Sequence, residues 1–216
     1  MVKFGKLFQN NMLFTHASNT LTIPFLLFTL GIVLISPKLI FLSLFSFFSL
    51  LYFFRIPKIN PPISLNNIIS PASGKIIHLE KTDKFIHFVI FLGILDPHIQ
   101  YVPYNGFLSK KTYVPGTFKY AYLMQKSKHN ERQIHKMYTK FGNLYVIQIA
   151  GMIARRIVSF LEPKTFVKQG DKLGLIRFGS RVDLIIPNIR QMNILKQSGD
   201  KVIGGETVLV SLENYN

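Results

Sequence analysis

The sequence predicts a mainly β fold, a β-rich, barrel-like α+β domain, preceded by an N-terminal hydrophobic helical hairpin. Three features carry that expectation. Two apolar runs of sixteen residues, Leu21 to Ser36 and Leu39 to Phe54, are split only by Pro37 and Lys38. A stretch rich in Pro and Asn follows. From Ile68 onward, short β-branched and aromatic runs alternate with Gly, Pro and Asn turn signals.

Neither apolar run is a full membrane span. A sixteen-residue helix reaches about 24 Å, against a hydrocarbon core of roughly 30 Å. Two arrangements remain: a hairpin dipping into one leaflet, or two short spans that thin the bilayer. Lys3 and Lys6 precede the first run and Arg55 and Lys58 follow the second, so both flanks belong on the positive, cytoplasmic side and a hairpin is favoured. Burial of both runs in a soluble core fits poorly, because Leu39 to Phe54 is apolar on every side.

Pro57, Pro61 and Pro62 with Asn60, Asn66 and Asn67 end helix and delay strand. The expected organisation is therefore a hairpin over 1–54, a linker over 55–67 and a β domain over 68–216. Strands are expected at Lys75 to Ile77, Phe85 to Leu92, Leu144 to Ile149, Leu173 to Ile176 and Val182 to Ile186. Turn signals fall between them, among them Pro71 to Gly74, Asn105-Gly106, Gly142-Asn143, Gly170-Asp171 and Gly199-Asp200. Val167 to Lys172 echoes Leu195 to Lys201, each reading as strand, turn, strand. Phe118 to Lys128 reads as helix-like.

Composition narrows the function. The 216 residues carry 26 Lys and Arg against 10 Asp and Glu, a net charge of +16, on a chain that is 48% hydrophobic. That pairing points to an anionic surface in an apolar setting rather than to nucleic acid. With no cysteine, disulfides, thiolate metal sites and a cysteine nucleophile are excluded. There is no Walker loop, H-E-x-x-H pair or G-x-S-x-G elbow, and the six histidines are scattered without metal-ligand spacing.

The segment Gly174-Leu175-Ile176-Arg177-Phe178-Gly179-Ser180-Arg181-Val182-Asp183 resembles the self-cleavage region of the short form of phosphatidylserine decarboxylase. Ile149 to Val158, reading I-A-G-M-I-A-R-R-I-V, is similar to the preceding strand and turn of that family. Further matches are Phe53-Phe54-Arg55, Ser70-Pro71-Ala72 before Gly74, Leu95-Asp96 with His98, and Asn130-Glu131-Arg132. The likeness runs from about Leu21 to Pro187 and preserves the order of the segments.

That resemblance implies a proenzyme. Ser180 Oγ would attack the Gly179 carbonyl, giving an ester by N-to-O acyl shift. Elimination and hydrolysis would then leave a β chain of 1–179 and an α chain of 180–216 that begins with a covalent pyruvoyl group. The two chains would stay associated. The pyruvoyl ketone would condense with the substrate amine as a Schiff base, act as the electron sink for loss of CO2, and release phosphatidylethanolamine. His98 is implied as the processing base, with Asp96 beside it, and Arg155 and Arg156 as contacts for the lipid phosphate. No metal is expected. One departure stands out: the family commonly has Asp in S-P-A-D-G, where this chain has Ser73. Longer members carry a second histidine where Tyr101 falls. The partners expected are anionic phospholipid and the cytoplasmic face of the cell membrane, without nucleic acid, and homo-oligomerisation is left open. Two alternatives are an archaetidylserine-type decarboxylase and a cleavage-dead membrane-bound relative that binds lipid.

Overall fold

The computed structural model describes residues 22–62, 64, 66–152, 157–176 and 180–212. The chain divides into two compact units, Met1–Ile56 and Pro57–Asn216.

In the first unit, helix α1 (22–33) turns into α2 (Pro37–Phe53). The turn closes as a Schellman motif: Ser36 N–H donates to Gly31 O at 2.8 Å and Ile35 N–H to Ile32 O at 3.1 Å, with Ile35 at φ +47°. A left-handed β-branched residue is costly. Pro37 supplies the first turn of α2, where its missing N–H is no loss. The helices touch closely, since a methyl on Gly31 would lie 2.9 Å from Ile40 Cγ1. The hydroxyls of Thr29, Ser46 and Ser49 bond back to carbonyls three or four residues earlier, at 2.7–2.9 Å, which keeps them satisfied on an apolar surface. Phe25, Val33, Phe41, Phe45 and Phe48 are exposed. Among the described residues, no helix is long and apolar enough to cross a membrane.

The second unit is almost entirely antiparallel β. Eight strands form one sheet in the order β13 (Lys201–Val202), β2 (Gly74–Lys81), β3 (Phe85–Leu92), β11 (Ser180–Pro187), β7 (Gly142–Ile149), β6 (Arg132–Thr139), β5 (Gly106–Val114), β9 (Thr165–Val167). Two three-stranded sheets complete it: β1 (Asn67–Ile69), β14 (Val208–Leu212), β12 (Met192–Ile194), and β4 (Ile99–Tyr101), β10 (Lys172–Ile176), β8 (Ile157–Ser159). The barrel-like expectation resolves into three open sheets rather than a closed barrel. The core joins one face of the large sheet, with Phe88, Ile90, Val182, Leu184 and Val146, to Ile68, Leu209 and Val210 of one small sheet and Leu173 and Ile176 of the other.

All five sequence-expected strands form. The paired loops at 168–171 and 197–200 share one geometry. Gly170 and Gly199 sit at φ +83° and +102°, and Asp171 and Asp200 each accept the N–H three residues earlier, from Lys168 at 2.8 Å and Gln197 at 3.0 Å. This is Gly-Asp turn chemistry used twice. The helix-like run Phe118 to Lys128 is a series of turns closed by one 3-10 turn, Lys126–His129. Side-chain bonds override its propensity. Asn130 Oδ1 accepts from Lys119 N–H at 2.9 Å, while Ser127 Oγ donates to Leu123 O at 2.9 Å. The Pro/Asn-rich stretch packs on the β unit, with Asn60 N–H donating to Glu206 Oε1 at 2.7 Å.

Candidate active site

Ser180 opens β11, one of the two central strands of the large sheet, and pairs with Leu92 of β3. Arg181 pairs with Ile149 of β7, so Ala150 follows beside Ser180. Strand alternation puts Ser180 on the face of Val182, Leu184 and Ile186, toward the core. Its side chain is fully buried, and its Oγ has no hydrogen-bond partner among the described residues. Gly179, Arg155 and Arg156 lie outside the described residues.

On the far side of Leu92, Gly74 begins β2. It adopts φ +152°, and a Cβ there would lie 2.1 Å from Phe91 O, so only glycine lets β2 come this close to β3. Ser73 just before it is buried, and its Oγ accepts from Gly204 N–H at 2.9 Å. The same segment is tied to β4, because Tyr101 N–H donates to Pro71 O at 2.8 Å.

His98 immediately precedes β4 and is completely buried. Its Nδ1 meets the main-chain carbonyl of Asp96 at 2.7 Å. A carbonyl only accepts, so Nδ1 carries a proton and donates to it. Asp96 thus orients the ring through its backbone. Its carboxylate caps the turn instead, accepting from Gly93 N–H at 2.8 Å. The carbonyl of His98 accepts from Ile176 N–H at 3.2 Å, which ties the histidine to the strand leading toward Ser180. Tyr101 is buried, and burial, with Glu206 nearby, pushes its pKa up to about 12, so its hydroxyl stays protonated.

Two buried polar networks escaped the sequence reading. On the core face, His135 Nε2 donates to Gln148 Oε1 at 2.9 Å. Gln148 Nε2 donates to Gln100 Oε1 at 2.7 Å, and Gln100 Nε2 donates to His98 O at 2.8 Å. All four residues are buried, so a one-way chain of donors runs from β6 through β7 to the carbonyl of His98. Burial holds the pKa of His135 down at about 4 despite its bond to Gln148, and Lys111 lowers it further. On the opposite face, Arg181 Nε lies 2.8 Å from Asp183 Oδ1. This contact is off the N–H axis and is held by charge; Arg181 Nη2 donates to Asp183 Oδ2 at 3.3 Å. Arg181 Nη1 reaches Ser127 Oγ at 2.9 Å, and His87 Nε2 lies 3.2 Å from Asp183 Oδ2. The i, i+2 spacing of Arg181 and Asp183 in a strand was the readable signal for this pair.

Asn130 serves the scaffold. Its amide donates to Lys119 O and Ala150 O, both at 2.8 Å, fastening the 117–131 loop beside Ser180. Arg132 bonds the carbonyls of Lys128 and Asn130. Among the described residues, no cluster of His, Asp and Glu could hold a metal ion.

Set against known proteins, the chain matches the family model described as phosphatidylserine decarboxylase over residues 45–210. It is 40% identical over 200 residues to the phosphatidylserine decarboxylase proenzyme of Desulfotalea psychrophila, covering 87% of this chain and 92% of that protein. With the proenzyme of the same description from Rickettsia typhi it shares 41% over 170 residues, 74% of this chain and 73% of the relative. The Syntrophus aciditrophicus proenzyme gives 38% over 168 residues, 73% and 77% respectively.

Proposed function

The chain belongs to the phosphatidylserine decarboxylase family, and from that membership we propose that it cuts itself between Gly179 and Ser180 and then converts phosphatidylserine to phosphatidylethanolamine and CO2. The observation that carries this reading is the state of Ser180: a fully buried hydroxyl whose Oγ has no partner among the described residues, at the head of a central strand. Leaving such a group unsatisfied costs about 1–3 kcal/mol, a cost that a functional nucleophile explains and a structural serine does not. The relatives' description as proenzymes agrees with self-processing.

In the proposed self-cleavage, Ser180 Oγ attacks the carbonyl carbon of Gly179 and the peptide nitrogen leaves as an amine, giving an ester. Loss of the Cα proton of residue 180 breaks the ester's Cβ–O bond. Gly179 is left as a carboxylate and residue 180 as dehydroalanine, which takes up water and releases ammonia to become a pyruvoyl group. His98 is proposed to accept the hydroxyl proton: with Nδ1 donating to the carbonyl of Asp96, the neutral ring would offer its lone pair at Nε2. Ser180 fits as the precursor: it is dry, polar and otherwise unused. Once formed, the pyruvoyl group supplies the electron sink that decarboxylation of an amino acid headgroup needs. Arg155 and Arg156 are proposed to meet the lipid phosphate. The exposed phenylalanines of α1 and α2, flanked by Arg55 and Lys58, support membrane anchoring on the cytoplasmic face.

Intact mass tests this directly. The full-length protein is expected to separate into fragments 1–179 and 180–216, the latter blocked by pyruvoyl, and Ser180→Ala to remain one chain. The same two fragments from Ser180→Ala would overturn the assignment of the nucleophile.

A further inference from the structure

The strand register gathers several loops at one end of the large sheet. Arg132, Ile149, Arg181 and Phe91 lie in one row across β6, β7, β11 and β3, and Ser180 stands one residue beyond it. Past that row come three loops: residues 93–98 after β3, residues 150–152 after β7, and the 115–131 loop between β5 and β6. The last is pinned over the sheet by Arg181 Nη1 on Ser127 Oγ at 2.9 Å and by the Tyr122 ring 5.9 Å from that of Phe91.

These loops carry an unusual surface. Ile94 and Leu95 are 63% and 69% exposed, separated from the buried His98 by Asp96 and Pro97. Tyr120, Tyr122 and Met152 are exposed on the neighbouring loops. Lys119, Lys126 and Lys128 are exposed beside them. The three lysines outnumber the two acids of these loops, Asp96, whose carboxylate accepts from Gly93 N–H at 2.8 Å, and Glu131, which is buried. Scattered exposed apolar side chains need no explanation. Adjacent aliphatic tips among aromatic residues and exposed lysines form the pattern of a surface that enters an anionic bilayer.

We propose that this end of the β unit is a membrane-docking mouth, with Ile94 and Leu95 entering the acyl region and Lys119, Lys126 and Lys128 meeting anionic headgroups. The proposal rests on the reading of Ser180 as the decarboxylation centre, since a buried site can reach a lipid headgroup without extracting the lipid only if its mouth meets the bilayer. It assigns to the β unit a contact separate from the helical hairpin.

Because the chain contains no tryptophan, one substitution reports on one place. Full-length Ile94→Trp, added to vesicles of phosphatidylglycerol and phosphatidylcholine with brominated acyl chains, is expected to be quenched. Phe166→Trp, at the opposite end of the sheet on β9, is expected not to be. Ile94→Ser with Leu95→Ser is expected to slow decarboxylation of vesicle phosphatidylserine by about tenfold or more, from the lost burial of two aliphatic side chains. Self-cleavage and turnover of a monomeric short-chain substrate should stay at the parent level. Absence of quenching in Ile94→Trp overturns the proposal, as does Ile94-dependent dimerisation without quenching, which would give this face to a second copy. A parent protein that decarboxylates neither substrate, yet shows the quenching pattern, would refute the enzymatic reading and leave the docking surface standing.

Discussion

Acid is expected to destabilise this protein through His135. The ring is buried within β6, where loss of hydration holds its pKa at about 4, against the ordinary histidine value of 6.5. The bond from Nε2 to Gln148 pulls the value up and Lys111 pulls it down, but burial outweighs both. Between those two values the unfolded chain binds a proton that the folded chain excludes. The stabilisation is therefore complete above about pH 6.5, falls as the pH drops, and stops falling near pH 4, where the folded state is protonated as well. At about 1.4 kcal/mol per proton per pH unit, moving from pH 7 to pH 4.5 removes about 2 kcal/mol through this one residue. His135→Gln is the informative variant, because its amide can still donate to Gln148 Oε1 but does not titrate. Denaturant unfolding of both full-length proteins in one detergent, followed by circular dichroism at pH 7 and pH 4.5, isolates the contribution: every other titrating group is common to the two. The parent should lose about 2 kcal/mol more than the variant. Equal losses would refute the reasoning and show that the ring accepts its proton in the folded state at an ordinary pH.

Arg181→Met leaves the Asp183 carboxylate buried with, among the described residues, His87 as its remaining charged partner, at an expected cost of about 3–5 kcal/mol. Arg181→Met combined with Asp183→Leu should recover most of that, and urea midpoints that fail to separate the single from the double variant would count against a buried ion pair. Ser73→Asp restores the carboxylate common in the family while keeping an acceptor for Gly204 N–H. If a charge there steadies His98, self-cleavage followed on gels should speed up by about tenfold or more. Unchanged processing would detach position 73 from the reaction.

What sequence alone determined here is local. The β-branched runs Phe85 to Leu92 and Val182 to Ile186 specify strands because alternation and χ1 stiffness act within a few residues. The turns at Gly170 and Gly199 were legible for the same reason, as was the hairpin, whose two apolar runs meet at a proline that starts a helix and cannot sit inside one. The Gly179-Ser180 bond stood out through an unbroken motif. The tertiary structure decided everything that depends on which strands lie side by side. His135, Gln148, Gln100 and His98 come from β6, β7 and the start of β4, and nothing in their spacing announces that they bond in a row. Phe118 to Lys128 had helical propensity, but Asn130 and Ser127 satisfied its backbone in turns, and a few buried hydrogen bonds outweigh tenths of a kcal/mol of propensity per residue. Asp96 shows the same division on the smallest scale: the sequence placed it two residues before the histidine, while the fold turned its carboxylate to Gly93 and left the main-chain carbonyl to hold the ring. Local stereochemistry writes the strands into the sequence. The polar partners in the core are chosen by packing, which brings together groups that the chain keeps tens of residues apart.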